Sequence, residues 1–167
     1  MMGQCASKLG YGLAMLLAGC GASLQGQHFH KPEVDYRIGQ LSDAWRRQHV
    51  RDMDLAFHSA GAGTIGVHAT CERYEDVPAS ALLGHLLFGT TQRTYLDDEE
   101  VTLDGRGARH ARIDAELDGV PVRLEIYLLV HAPCVFDLSY VSDRSARGRA
   151  EFLRFVSEFE VQAVRGG

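Results

Sequence analysis

The sequence lacks the short motifs that identify common catalytic and ion-binding sites. The glycine-rich stretch GAGTIG (61–66) has no Gly-Lys-Ser/Thr ending, so it indicates a hairpin turn rather than a phosphate-binding loop. No Gly-x-Ser-x-Gly elbow is present. The run of four acids at 97–100 lacks the glycine and the distal glutamate of an EF-hand loop, and a solvated hairpin tip fits it better. No internal repeat or interdomain linker interrupts the 167 residues. We therefore expect one domain, with no metal and no other cofactor.

The N-terminus has the features of a bacterial lipoprotein signal. The apolar stretch 9–19 is too short to cross a bilayer as a helix, which takes about 20 residues, so it favours a secretory signal. It ends in Leu-Ala-Gly followed by Cys20. This resembles the lipobox, in which the cysteine is lipidated and becomes the new N-terminus. We predict a signal peptide over 1–19 and lipidation of Cys20; an ordinary signal with an incidental cysteine is the alternative.

The residues around the predicted cleavage site also suggest a location. Gly21, in place of an aspartate after the cysteine, favours anchoring in the outer membrane with the protein facing the periplasm. Loss of residues 1–19 removes Lys8 and no acid, which leaves 16 basic residues against 22 acidic ones. A net charge of −6 argues against a nucleic-acid partner. The membrane, through the lipid, and an envelope protein are the partners that we expect.

Two cysteines, Cys71 and Cys134, remain in the body of the predicted mature protein. In an oxidising compartment they can form a disulfide. The bond would close a loop of about 60 residues and contribute roughly 4 kcal/mol to stability. Two buried free thiols are the alternative.

The residues after the predicted anchor are expected to be flexible. The stretch GASLQGQ is small and polar and has no period, so residues 20–33 are predicted to be a tether. His28 and His30 at its end could bind a metal weakly, but a tail without a third ligand is a poor site. The globular domain is predicted over 34–167.

Hydrophobic periodicity places this domain in the α+β class. Amphipathic helices are predicted over 78–88 and 145–158. Strands are predicted in VDYRIG (34–39), AWRRQHV (44–50), DLAFHS (54–59), TIGVHATC (64–71), VFDLSYV (135–141) and FEVQAV (159–164), and TQRTYLDDEEVTL (91–103) is predicted to form two strands around an acidic turn.

The strongest local signal is a hairpin centred on Asp118 and Gly119, which separate two alternating runs. Placing these two residues in the loop sets the whole register. On one face, opposite charges meet and a histidine faces a tyrosine: Asp114 with Arg123, Arg112 with Glu125, His110 with Tyr127. On the other face, apolar residues meet: Ile113 with Leu124, Ala115 with Val122, Ala111 with Ile126. A wrong register would rarely pair both faces so well.

The polar face of this hairpin is the candidate binding surface. We call its residues the polar ladder: His110, Arg112, Asp114, Arg123, Glu125 and Tyr127. Each charged residue of the ladder has an oppositely charged partner across the hairpin, so no function is needed to explain its presence. The first interpretation is therefore structural, with exposed ion pairs worth under about 1 kcal/mol each, and a binding surface is the second. We predict no catalytic residue. Ser139 with Asp137 and His110 or His131 has the residue types of a hydrolase triad, but a serine in mid-strand lacks the sharp turn that exposes a nucleophile.

The order of the predicted elements resembles the PsbP-like fold. The parts that carry the resemblance are YRIGQLSDAWRR (36–47), LDGRGARHARIDAELDGVPVRLEIYLLV (103–130) and AEFLRFVSEFEV (150–161). The resemblance implies a single-domain α/β/α sandwich, in which an antiparallel meander packs against two helices. It also implies a non-catalytic role, because members of the family bind and stabilise larger protein assemblies. It assigns no site residue to this chain, since fold alone does not give function.

Three functions remain open. The preferred one is a non-catalytic accessory module, lipid-anchored in the outer membrane, that binds an envelope protein complex from the periplasm. A carrier of lipid or another apolar ligand would need an internal cavity. A small hydrolase would need a nucleophile, a histidine and an acid in one cleft. The first is preferred because every candidate catalytic residue has a structural explanation.

Overall fold

The computed structural model describes residues 21–71, 77–145 and 147–165. The predicted signal peptide and Cys20 lie outside the described residues. The described chain contains the following strands and helices: β1 (Ser23–Gln25), β2 (His28–Lys31), β3 (Val34–Arg37), β4 (Arg46–Gln48), β5 (Leu55–Ser59), β6 (Gly63–Thr70), α1 (Ala79–Leu86), β7 (Thr90–Leu103), β8 (Arg106–Leu117), β9 (Val120–His131), β10 (Cys134–Ser142), α2 (Arg149–Ser157) and β11 (Glu160–Val164).

The strands form two antiparallel sheets. A four-stranded sheet has the order β1-β2-β3-β11, and a seven-stranded sheet has the order β4-β5-β6-β10-β9-β8-β7. One face of the larger sheet packs against α2 and the smaller sheet, and the other face packs against α1. The predicted α+β class, with one antiparallel domain and two helices, is confirmed.

The larger core is aromatic and lies between the two sheets and α2. Tyr36 of β3 packs edge-on against Phe136 of β10, with ring centroids 6.0 Å apart, and Phe152 of α2 stacks on Tyr140 at 5.4 Å. A Cβ atom on Gly39 would lie 2.4 Å from the Cα of Phe155. Glycine at this position therefore lets the chain after β3 pass directly against α2.

The predicted hairpin is confirmed in every pair. Leu117 faces Val120, and each polar and apolar pair follows in the predicted register. Asp118 and Gly119 both have positive φ angles, of 51° and 77°. Positive φ at both loop positions is the requirement of a type I′ turn, which Asp-Gly meets. The predicted disulfide between Cys71 and Cys134 is also present, and it joins the end of β6 to the start of β10.

The predicted tether is wrong within the described residues. The segment forms β1 and β2, which extend the smaller sheet from β3. Phe29 is buried and stacks on Tyr36 at 4.7 Å, and Lys31 forms an ion pair with Asp54. The folded domain therefore begins near Ser23 rather than at 34. One buried aromatic ring and backbone pairing at a sheet edge order a segment whose composition is that of a linker.

The predicted acidic turn is also wrong. Residues 90–103 form one 14-residue strand, β7, whose pairing with β8 shifts register twice. Its acids lie opposite cations: Arg109 Nε is 2.7 Å from Asp98, and Arg112 Nε is 2.8 Å from Asp97. Because β8 supplies these cations, the acids are accommodated within a strand. The segments predicted in 34–39 and 44–50 are strands too, but they belong to different sheets.

Candidate functional site

The centre of the polar ladder is buried beneath α2. Glu125 is only 1% exposed. Arg149 of α2 donates two hydrogen bonds to it, from Nε at 2.6 Å and from Nη2 at 2.7 Å. His110 Nε2 lies 3.0 Å from Glu125 Oε1. The predicted pairing of Glu125 with Arg112 is therefore wrong as an ion pair, although the two residues do face each other in the register.

His110 connects two carboxylates. Its Nδ1 lies 3.3 Å from Glu99 of β7, and its ring stacks on Tyr127 at 4.4 Å. Burial lowers the pKa of His110, but its hydrogen bonds with Glu125 and Glu99 outweigh burial and raise that pKa overall. Burial likewise raises the pKa of Glu125, and the hydrogen bonds with His110 and Arg149 bring it below its usual value. The arrangement favours a charged Glu125 held between Arg149 and His110.

The rest of the ladder stays partly accessible. Arg123 donates to both carboxylate oxygens of Asp114, at 2.7 and 2.9 Å, as the register predicts. Arg112 pairs with Asp97 instead of Glu125, because β7 runs beside it. These three residues and Tyr127 are the partly exposed members of the ladder, and a partner at this face would contact them. The buried pair of His110 and Glu125 contributes to folding.

The opposite face of the sheet contains a cavity of about 260 Å³ beneath α1, which we call the α1 pocket. Leu82 and Leu86 of the helix and Leu128 and Val135 of the sheet form most of its apolar wall. Asp137 of β10 also lines it.

Asp137 is the unusual group in this pocket, since it is only 8% exposed. Burial, with a smaller contribution from nearby Asp54, raises the pKa of Asp137 to about 7. Its own backbone amide and the charge of Lys31 lower this pKa by smaller amounts. The sequence places Asp137 on the polar side of VFDLSYV, and this pattern suggests solvent exposure. A lone acid in a mostly apolar strand was the available signal of burial.

A second polar cluster, which the sequence did not reveal, joins the two sheets. Lys31 Nζ lies 2.8 and 3.0 Å from the two carboxylate oxygens of Asp54, and the backbone amide of Ala69 donates to the same carboxylate at 2.9 Å. Tyr36 donates to it from 3.4 Å. Burial lowers the pKa of the neighbouring His68. Because the cluster satisfies Asp54 from within the fold, we assign it a structural role.

The hydrolase candidates are not brought together. Ser139 Oγ lies close to Gly66, on the α1 side of the sheet. His110 points to the α2 side, where it contacts Glu125. His131 lies beside Arg106. Burial lowers the pKa of His131, and the positive charge of Arg106 lowers it further by a smaller amount. Among the described residues, no hydrogen bond joins Ser139 to Asp137 or to either histidine.

The two histidines of the predicted tether have protein partners. His28 Nδ1 lies 3.0 Å from the Gln162 side chain, and His30 contacts Asp35. Within 21–71, 77–145 and 147–165, no group of three His, Cys, Asp or Glu residues is arranged to hold a metal ion. Neither helix in these ranges combines the length and the apolar character needed to cross a membrane.

Comparison with known proteins identifies the fold. No protein-family model matches the sequence, and no curated protein does either. Among solved structures, the chain is similar to the solution structure of PsbP (CyanoP) from Synechocystis sp. PCC 6803, with a TM-score of 0.55 and 14% identity over 75% of this chain and 86% of that one. The fold is PsbP-like.

Two further solved structures are similar to this chain. LpqN, involved in cell envelope biogenesis of Mycobacterium tuberculosis, has a TM-score of 0.54 and 13% identity, over 80% of this chain and 87% of LpqN. PA94, a protein of unknown function from Pseudomonas aeruginosa, has a TM-score of 0.51 and 11% identity, over 84% of this chain and 97% of PA94. These identities carry no site residue to this chain.

Proposed function

We propose that this protein is a non-catalytic accessory module, anchored by a lipid at Cys20, that binds an envelope protein complex from the periplasmic side of the outer membrane. The anchor and its membrane rest on the lipobox-like sequence. The accessory role is supported by the similarity of the fold to LpqN, which is involved in cell envelope biogenesis. The negative net charge supports a protein partner over a nucleic acid.

The observation that carries the proposal is an exposed apolar end of the domain. Phe88, just after α1, is 91% exposed, and Val120 at the hairpin tip is 60% exposed. Leu117 is exposed as well, and it pairs with Thr90, two residues after Phe88. We call these three residues the tip patch. Aromatic and aliphatic side chains gathered on a surface are typical of the anchors of protein interfaces.

The position of the tip patch suits a partner held away from the membrane. The described chain begins beside β2, whose Lys31 contacts Ala69, two residues before the disulfide. The tip patch lies at the other end of β9, which spans 12 residues, or roughly 37 Å at the usual strand rise. A lipid at Cys20 would therefore hold the disulfide end near the bilayer and direct the tip patch into the periplasm.

Site-specific crosslinking in the living cell tests the proposal. A photo-crosslinking amino acid is placed at Phe88 or Val120, with exposed Arg51 as the matched control position. The protein keeps its native signal and expression level, and is recovered through a C-terminal tag. We expect one envelope protein to crosslink at the two tip positions, not at the control, and to be lost in Cys20→Ala. Equal yields at all three positions, or none at the tip, would contradict the proposal.

The alternative functions have weaker support. A lipid carrier would need an enclosed, mostly apolar cavity. The most apolar of the described clefts, the α1 pocket, has only about 260 Å³, and the larger clefts of about 450 and 480 Å³ have charged residues in their walls, Glu100 and Arg109 in one and Asp43 and Arg46 in the other. A small hydrolase would need Ser139 beside a histidine, and the two predicted histidines lie elsewhere. The non-catalytic role needs neither arrangement.

A further inference from the structure

The α1 pocket has room for a small organic molecule. An engineered apolar cavity of about 150 Å³ holds benzene, so a volume of about 260 Å³ accommodates roughly ten non-hydrogen atoms. Leu82 and Leu128 offer apolar contacts from the helix and from the sheet. Val77 and Leu86 also line the pocket, and both are exposed, so the cavity opens to solvent between them.

Asp137 gives the pocket a specific chemical requirement. A buried carboxylate is costly unless a charge or a hydrogen-bond donor compensates it. The nearest cation of the adjoining cluster, Lys31, is already bonded to both oxygens of Asp54. His68 faces Asp137 across the β6–β10 pair, but burial lowers its pKa and favours the neutral ring. His85 is the titratable group that α1 contributes to the lining.

This arrangement discriminates among ligand classes. An anion would meet the carboxyl of Asp137 and the negative charge of Asp54 close by. A neutral hydrocarbon would fill the apolar part and offer Asp137 no hydrogen-bond donor. A primary ammonium group has three donors and a positive charge, so it compensates a carboxylate in the space that the cavity provides.

We propose that the α1 pocket binds a small primary amine, with the ammonium group on Asp137 and an apolar body of about ten atoms between α1 and the sheet. This proposal does not rest on the proposed accessory function, and the pocket residues are separate from the three residues of the tip patch. It assigns the protein a ligand class, amphipathic amines, whose apolar part is an aromatic ring or a short alkyl chain.

The test compares three probes that share a benzyl group. Benzylamine, benzyl alcohol and phenylacetate are titrated into the folded domain at pH 7.5, and the methyl NMR signals of Leu82, Leu86 and Leu128 are followed. We expect benzylamine to shift these signals and to bind at least tenfold more tightly than the alcohol, and phenylacetate not to bind. Equal binding of amine and alcohol, or shifts confined to other residues, would overturn the proposal.

Two variants locate the ammonium group. Asp137→Asn keeps the shape of the side chain and should weaken benzylamine at least tenfold while changing benzyl alcohol less than twofold. Asp118→Asn, at the exposed hairpin turn, is the matched control and should change neither probe. Leu86→Lys at the exposed mouth places a tethered ammonium there and should also weaken benzylamine tenfold or more. Unchanged benzylamine affinity in Asp137→Asn, or in Leu86→Lys if the first variant does not fold, would refute the site.

Discussion

Replacing Arg149 with methionine should destabilise the protein by about 3 kcal/mol. The substitution keeps an apolar stem of similar length and removes both hydrogen bonds that Arg149 donates to Glu125, at 2.6 and 2.7 Å. Glu125 is almost completely buried, so water cannot replace these bonds. The variant therefore leaves a carboxylate in the interior without its main compensating charge.

The magnitude follows from what remains around Glu125. Removal of one partner from a buried ion pair costs about 3–5 kcal/mol. His110 stays in place, 3.0 Å from Oε1, and retains part of the compensation, so the lower end of that range applies. For a domain of this size, the same change lowers Tm by about 6–12 °C, since each kcal/mol corresponds to roughly 2–4 °C.

Arg123→Met is the matched control, because Arg123 makes the same two-point contact with a carboxylate in the same hairpin. The side chains of Arg123 and Asp114 are 28% and 20% exposed, so water can replace the lost bonds. This variant should cost less than about 1 kcal/mol. The two substitutions thus differ chiefly in the burial of the carboxylate that loses its partner.

Urea unfolding followed by circular dichroism at pH 7 measures both free energies of unfolding, with equal slopes required for the comparison. Adding Glu125→Gln to Arg149→Met should restore part of the stability, because a neutral amide needs no counter-charge. Equal costs for Arg149→Met and Arg123→Met would refute the argument from burial. No recovery in the double variant would assign the loss to packing of the arginine stem.

Three further predictions use the same unfolding assay. The folded-state pKa of His110 is raised, so the stabilisation that protonated His110 provides is complete below its ordinary pKa of 6.5 and is lost as pH rises through the raised pKa. Wild type should therefore lose stability relative to His110→Gln between pH 5.5 and 8.5. Parallel curves of unfolding free energy against pH for the two proteins would contradict this. The pKa of Asp137 is raised from 3.8 to about 7, so the folded state resists ionisation of this acid as pH rises. At about 1.4 kcal/mol per pKa unit, wild type should lose up to about 4 kcal/mol of stability relative to Asp137→Asn between pH 4 and 8. The same dependence of unfolding free energy on pH in both proteins would reject the buried-acid assignment. Replacing both Cys71 and Cys134 with alanine should cost about 4 kcal/mol of stability, because the disulfide closes a loop with a sequence separation of 63 residues. The reduced wild type is the comparison and should lose a similar amount. If neither the substitution nor reduction of wild type changed the free energy of unfolding, loop closure would contribute nothing.

The hairpin was predictable because its information is local. Asp118 and Gly119 specify the turn, and a shift of one residue would move every side chain to the other face of the sheet. Complementary charges on one face and apolar residues on the other leave a single register that satisfies both. The disulfide was predictable because only Cys71 and Cys134 remain in the body of the predicted mature protein and the predicted compartment is oxidising, with free thiols as the alternative. This prediction needed no knowledge of the order of strands in the sheet.

The contacts of the candidate sites were harder to predict because they join distant segments. Glu125 finds Arg149 on a helix 24 residues later, in preference to Arg112 across the strand pair. The predicted tether contains one large buried residue, Phe29, whose partner Tyr36 lies on the next strand. The composition of this segment is that of a linker. The segment is nevertheless ordered, because it pairs with the edge of a sheet whose position is not evident from the sequence. Tertiary pairing thus decided the outcome wherever local pattern was weak.

The two proposed sites meet on one short element, α1. Leu82 and Leu86 form the helix side of the pocket, and the chain leads from Leu86 through Leu87 directly to the exposed Phe88. Arg93 and Thr90 both donate to the carbonyl of Leu87, which fixes the end of α1 to the start of β7. An amine that moved α1 would therefore also move Phe88 of the tip patch. Such an amine would change the affinity of the protein for its envelope partner. Because coupling between two sites is reciprocal, the partner would change the affinity of the protein for the amine by the same factor.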